Sequence, residues 1–197
     1  MKSKLLNTVA ASLLALSALN ANAGPIPYPN PGVPNPVTYA FTAASTGDVL
    51  AYFWGSTAGY TSTLSLLVNG VDTGISGLNN HSSAYGDVLN FGTVNAGDSL
   101  VFRLNVLTTG DYWYSDTGLN YDGVNHVYST SFDGDSIIPA GIFVSFEDLP
   151  FGGDFNYNDE DFVFTNIRDI NDVSEPLGVL LVGAGLAGIG MLRRRKH

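Results

Sequence analysis

Between residues 37 and 167 the chain is a series of short hydrophobic runs, at 37–43, 49–54, 61–68, 88–91, 100–107, 124–130, 142–146 and 162–167. Each run is rich in β-branched and aromatic residues and is bounded by Gly, Asn, Asp or Pro, the pattern of short strands joined by turns. Asn69-Gly70, Asp122-Gly123 and Asp133-Gly134 can take positive φ at low steric cost, so turns are expected there. No 3.6-residue period of apolar positions interrupts the runs. Many short strands without intervening helices predict an all-β fold over residues 37–173, an antiparallel two-sheet sandwich that is jelly-roll-like or immunoglobulin-like.

The two ends carry apolar stretches of another kind. Lys2 and Lys4 precede an apolar run at 9–19, and the small residues Ala21 and Ala23 follow. That order predicts a signal peptide over 1–23, cleaved before Gly24. Six prolines between Pro25 and Pro36 fix φ repeatedly and remove ladder donors, so 24–36 is expected to be an extended spacer or irregular edge. At the other end, Ser174-Glu175-Pro176 leads into an apolar run at 177–192, then Arg193, Arg194, Arg195 and Lys196. The expectation is a C-terminal transmembrane helix with its cationic end in the cytoplasm and everything before it outside. Sixteen residues make a helix of about 24 Å against a hydrocarbon core of about 30 Å. Five glycines within it weaken the helix further, which suits a transient stay.

The order of parts over 174–197 resembles the PEP-CTERM sorting signal, with Ser174 standing where that motif has its first proline. The resemblance implies processing by exosortase near Glu175-Pro176 and transient inner-membrane insertion. It further implies a final location at the cell surface or in the extracellular matrix of a Gram-negative bacterium, in association with exopolysaccharide or biofilm. A permanent single-pass anchor is the plainer reading of the same residues.

Without its two ends the chain keeps only Arg103 and Arg168 as cations against seventeen of the eighteen acids, a net charge of −15. Such a surface repels nucleic acid and anionic membranes. It suits metal cations, basic partners or plain solubility. The absence of cysteine excludes disulfides, thiolate metal sites and a thiol nucleophile. No GxSxG, HExxH or phosphate-binding glycine loop is present, and His81 and His126 read as polar surface or turn residues, so no enzymatic role is expected.

The densest chemistry lies in the acidic loop 147–161, which follows one apolar run and precedes another. Its candidate metal ligands are Glu147, Asp148, Asp154, Asn156, Asn158, Asp159 and Asp161. Oxygen donors at alternate positions 154, 156 and 158 in a glycine-rich turn suit a hard cation such as Ca2+, which takes six to eight oxygens. The loop is no EF-hand, because Asp159 stands at the sharp-turn glycine and Thr165 at the bidentate glutamate. Alternatively, the Asx side chains serve their own backbone and the charge is solvated. Phe146-Glu147-Asp148-Leu149, Gly152-Gly153-Asp154 and Tyr157-Asn158-Asp159 resemble a bacterial exported domain of unknown function that occurs in extracellular and PEP-CTERM proteins. That resemblance brings no established enzymatic role with it and makes calcium the candidate ligand of the acidic loop.

The sequence therefore leads first to a surface or matrix protein. A carbohydrate-binding or adhesive module comes second, with Trp54 and the 112–114 aromatic cluster around Trp113 able to stack on sugar rings, although core packing is the default for each. A secreted glycan hydrolase comes third, on carboxylate abundance alone.

Overall fold

A computed structural model describes residues 26–171; the segments read as signal peptide and sorting helix lie outside the described residues. Eleven strands follow in chain order: β1 (Phe41–Ala43), β2 (Gly47–Ser56), β3 (Ser62–Val68), β4 (Val71–Gly77), β5 (Val88–Val94), β6 (Ser99–Val106), β7 (Asp111–Tyr114), β8 (Val127–Phe132), β9 (Gly141–Phe146), β10 (Glu160–Thr165) and β11 (Ile167–Asp169). They form two antiparallel sheets, as expected. One has the order β11-β1-β6-β3-β4, with β7 beside β1 on the same edge of β6; the other has the order β5-β2-β10-β9-β8. Among the described residues no helix is long and apolar enough to cross a membrane.

The core lies between the sheets, where inward positions of each strand meet at a spacing of two. Phe41, Leu64, Leu66, Phe102 and Leu104 of the first sheet face Val49, Ala51, Phe53, Phe146, Phe162 and Phe164 of the second. The rings of Phe102 and Phe164 stack across the layers at 3.8 Å. The second sheet is also covered on its outer face, where Phe132, Ile138, Phe143 and Val163 are buried under Tyr52, Trp54, Tyr128 and the N-terminal Ile26. Burial on both faces explains why Phe162-Val163-Phe164 is a continuous apolar run and not an alternating one.

The eight sequence runs correspond to eight of the strands and miss β4, β7 and β11 as such. Strand β4, Val-Asp-Thr-Gly-Ile-Ser-Gly, is a polar edge strand with no fully buried residue. It is placed by the hairpin turn at Asn69 (φ 51°) and Gly70 (φ 79°), a pair of left-handed residues that matches the strand twist. The proline-rich segment is irregular but packed: Tyr28 and Asn35 are buried, and the Asn35 amide donates to the Val127 carbonyl at 3.0 Å.

Candidate functional site

The acidic loop joins β9 to β10 at one end of the sandwich. It is wound tightly, with Phe151, Gly152, Gly153, Phe155 and Tyr157 all at positive φ. Three bulky aromatic residues in that region are uncommon and cost roughly 1 kcal/mol or more each. Tyr157 anchors the coil from within: its buried hydroxyl donates to the Asn125 carbonyl (3.0 Å) and accepts from the Asn35 amide (2.9 Å). The loop thereby ties the proline-rich segment to the sandwich.

The seven acidic and Asx residues singled out in the sequence separate into three groups. Asp154, Asn156 and Asn158 form a ladder of Asx turns and do not converge on one point. Asp154 Oδ1 accepts from the Asn156 amide (3.2 Å), Asn156 Oδ1 from the Asn158 amide (3.1 Å), and Asn158 Oδ1 from Thr57 Oγ1 (2.6 Å). The first two oxygens serve the backbone two residues on, as local side-chain to backbone bonding allows, and the third serves the Thr57 hydroxyl.

Asp161 leaves the cluster by alternation. It is paired opposite Ser145 of β9 and accepts a hydrogen bond from that hydroxyl, while its neighbour Glu160 points the other way. Burial pushes its carboxyl up to about 7 although Ser145 opposes the shift.

The third group is buried. Glu147 and Asp148 are 1% and 4% exposed. Glu147 Oε1 accepts from the Tyr157 amide, and Asp159 Oδ2 accepts from the Asp148 amide at 2.9 Å. Burial raises the Glu147 carboxyl to about 8, with the charges of Asp159 and Asp154 adding to it. Burial and the Asp159 charge raise Asp148 to about 7, and burial raises Asp159 as well. Carboxylates placed together in a poorly solvated site cannot all ionise cheaply.

Glu160, which sequence reasoning left out of the candidate ligands, is the most deeply placed member. It has no exposed surface, and burial followed by the charges of Asp148 and Asp159 lifts its carboxyl to about 9. Its position follows from phase. Counting back by two from the inward Phe164 and Phe162 reaches Glu160, so the glutamate faces the inter-sheet space. The signal was present in the sequence but hidden, because Asp159-Glu160-Asp161 reads as a solvated run.

The support beneath this cluster comes from β7 and the turn before β8. The Trp113 indole donates to the Asp148 carbonyl at 2.8 Å and stacks on His126 at 3.8 Å. His126 Nδ1 meets the Glu147 carbonyl at 3.1 Å and Nε2 meets Asp122 Oδ2 at 3.0 Å. His126 is fully buried, which departs from its reading as a surface or turn residue. His81 is exposed, with Nε2 at 2.9 Å from the Tyr60 carbonyl. Trp113 is core, and Trp54 packs edge-on against Tyr85, Phe132 and Phe143. Trp113 is thus enclosed, while Trp54 is partly buried. On the far side of β8, a groove of about 460 Å³ is lined by Tyr28, Tyr39, Tyr128, Asn30, Asn35 and Asp169, among others.

Among the described residues, no three acid or imidazole side chains stand close enough together to ligate one ion as they are. No known protein family, curated protein or solved structure matches this chain.

Proposed function

We propose that this chain is an exported, non-enzymatic surface or matrix β-domain, sorted through its C-terminal segment by exosortase and associated with exopolysaccharide, with an acidic end stabilised by a hard cation of the calcium class. The observation that carries the export reading is the complete order of parts at 174–197: Ser174-Glu175-Pro176, then the apolar run, then the arginine cluster. A lone apolar segment would not have that specificity. The signal-like start with Ala21, Ala23 and Gly24 supports the same direction of travel. A sandwich of this kind suits the destination, since its short strands and acidic surface resist aggregation without disulfides.

Mass spectrometry of the protein recovered from outside the cell tests the reading. The expected C-terminus lies near Glu175-Pro176, and the expected N-terminus is Gly24. Recovery of a chain that still ends in Arg193-Arg194-Arg195-Lys196-His197 refutes sorting and leaves a tethered protein.

A second reading, a carbohydrate-binding module, is favoured by the tyrosine groove beside β8, where aromatic faces and amide groups share one concavity. A polysaccharide affinity that falls at least tenfold in Tyr128→Ala, with the fold intact, would support that reading over a purely structural role.

A further inference from the structure

The cation reading leaves open which oxygens hold the ion, and the structure gives them unequal claims. At 154, 156 and 158 the side-chain oxygens are engaged with amides or Thr57. Deeper in, the situation reverses. Both carboxylate oxygens of Glu160 are buried without a hydrogen-bond partner, and so is Asp148 Oδ2. Glu160 is wholly buried and Asp148 is 4% exposed. Ser62 Oγ, at the start of β3 in the facing sheet, is also buried without a well-formed hydrogen bond, and it stands near enough to the Glu160 carboxyl to oppose the rise that burial causes there.

Buried polar atoms are nearly always hydrogen-bonded, and a buried charge is costly unless something compensates it. Four orphaned oxygens at one end of the same domain therefore call for an explanation. Asp159 Oδ2 accepts from the Asp148 amide at 2.9 Å and Asp159 adjoins Glu160 in the chain, so the three carboxylates share one end of the sandwich. Phe162 and Phe164 extend the face of β10 that Glu160 occupies, so the glutamate points into the sandwich and not into solvent.

We infer that Glu160 and Asp148, joined by Asp159, form the anionic heart of a divalent-cation site at the end of the sandwich, with Ser62 Oγ as a neutral ligand. The inference rests on the proposed cation-stabilised acidic end and moves the ion inward from the alternating Asx positions. Three carboxylates against a double charge leave −1, and the donors are all hard oxygens. That set suits calcium, whose flexible coordination tolerates ligands from separate segments, and not zinc, which prefers imidazole and thiolate. The buried imidazole, His126, is engaged with Asp122 and the Glu147 carbonyl. Binding draws the side chains of Glu160 and Asp148 together by rotation, since no three ligands converge beforehand.

The test uses the full chain in mild detergent, with Tb3+ as luminescent probe and Ca2+ as competitor. Trp113, hydrogen-bonded to the Asp148 carbonyl, lies beside the site as sensitiser. Wild type is expected to show tryptophan-sensitised Tb3+ emission that calcium displaces. Glu160→Gln, close in shape to the protonated acid, is expected to weaken Tb3+ and Ca2+ at least tenfold. In metal-free buffer its melting temperature should equal or exceed that of wild type, because a neutral amide replaces a buried acid that is costly to ionise. Asp148→Asn is expected to lose binding likewise and serves where Glu160→Gln folds poorly. Asp154→Asn is expected to bind within twofold of wild type. Full affinity in both Glu160→Gln and Asp148→Asn overturns the inference, and its loss in Asp154→Asn would then return the ion to the outer loop. No emission and no calcium effect in wild type would sink the cation reading itself.

Discussion

Raising the pH of the metal-free protein from 5 to 8 should destabilise it, against the usual behaviour of acidic domains. Burial and mutual repulsion raise Glu147 to about 8, Asp148 to about 7, Glu160 to about 9 and Asp161 to about 7. In the unfolded chain these groups titrate near 4. A raised folded pKa contributes stability that is complete below about pH 4 and is lost as pH climbs through the folded values, so the window runs from about 4 to 9. Each proton held by the native state and not by the unfolded chain changes stability by about 1.4 kcal/mol per pH unit. If mutual repulsion leaves an effective one to two protons in play, the loss between pH 5 and 7 is about 3–5 kcal/mol. That is a large part of the 5–15 kcal/mol typical of a domain. At roughly 2–4 °C per kcal/mol for a domain of this size, the midpoint should fall by about 6–20 °C. Differential scanning calorimetry of the metal-free chain at pH 5, 6, 7 and 8 measures it. A midpoint that stays flat or rises across that range would refute the claim that these carboxylates are desolvated together.

Two further outcomes follow from the packing. Phe164→Ala removes a fully buried ring stacked on Phe102 and should cost about 3–5 kcal/mol in urea unfolding; a loss below about 1 kcal/mol would show that the two sheets do not meet there. Asp122→Ala deprives buried His126 and the Phe151 amide of a charged acceptor and should cost about 1.5–3 kcal/mol at pH 7. Burial alone would raise Asp122, yet bonds from the Val124 amide, His126 and the Phe151 amide outweigh it and hold the carboxyl low. Its contribution is therefore present above about pH 4 and lost on further acidification, so the mutational difference should shrink at pH 3.

How much of this was legible in the sequence depended on whether a residue's face could be read from its neighbours. Strands β2, β3 and β6 declare themselves because one face is apolar and the turns beside them are Gly, Asn or Asp. Strand β4 does not, since an edge strand with two wet faces has no hydrophobic phase. Phe162-Val163-Phe164 is apolar on both faces, so it hides the phase that would have sent Glu160 inward. The candidate loop is legible as a segment, and within it Glu147 and Asp148 are buried, Asp159 is partly so and Asp154 is exposed. Asp154, Asn156 and Asn158 were grouped by their spacing, but the left-handed residues between them turn each oxygen onto the next amide. His126 could not be placed, because what buries it, Trp113 and Glu147, is distant in sequence.

The central claim, that a cation completes the buried acidic end of an exported sandwich, is tested most directly by thermal unfolding of the full chain at pH 7.5 with and without calcium. A ligand present at about 100 times its Kd adds about 2.7 kcal/mol to the native state. Calcium is expected to raise the midpoint by roughly 5–10 °C, with potassium at equal ionic strength leaving it in place. A midpoint that millimolar calcium does not move would contradict the account.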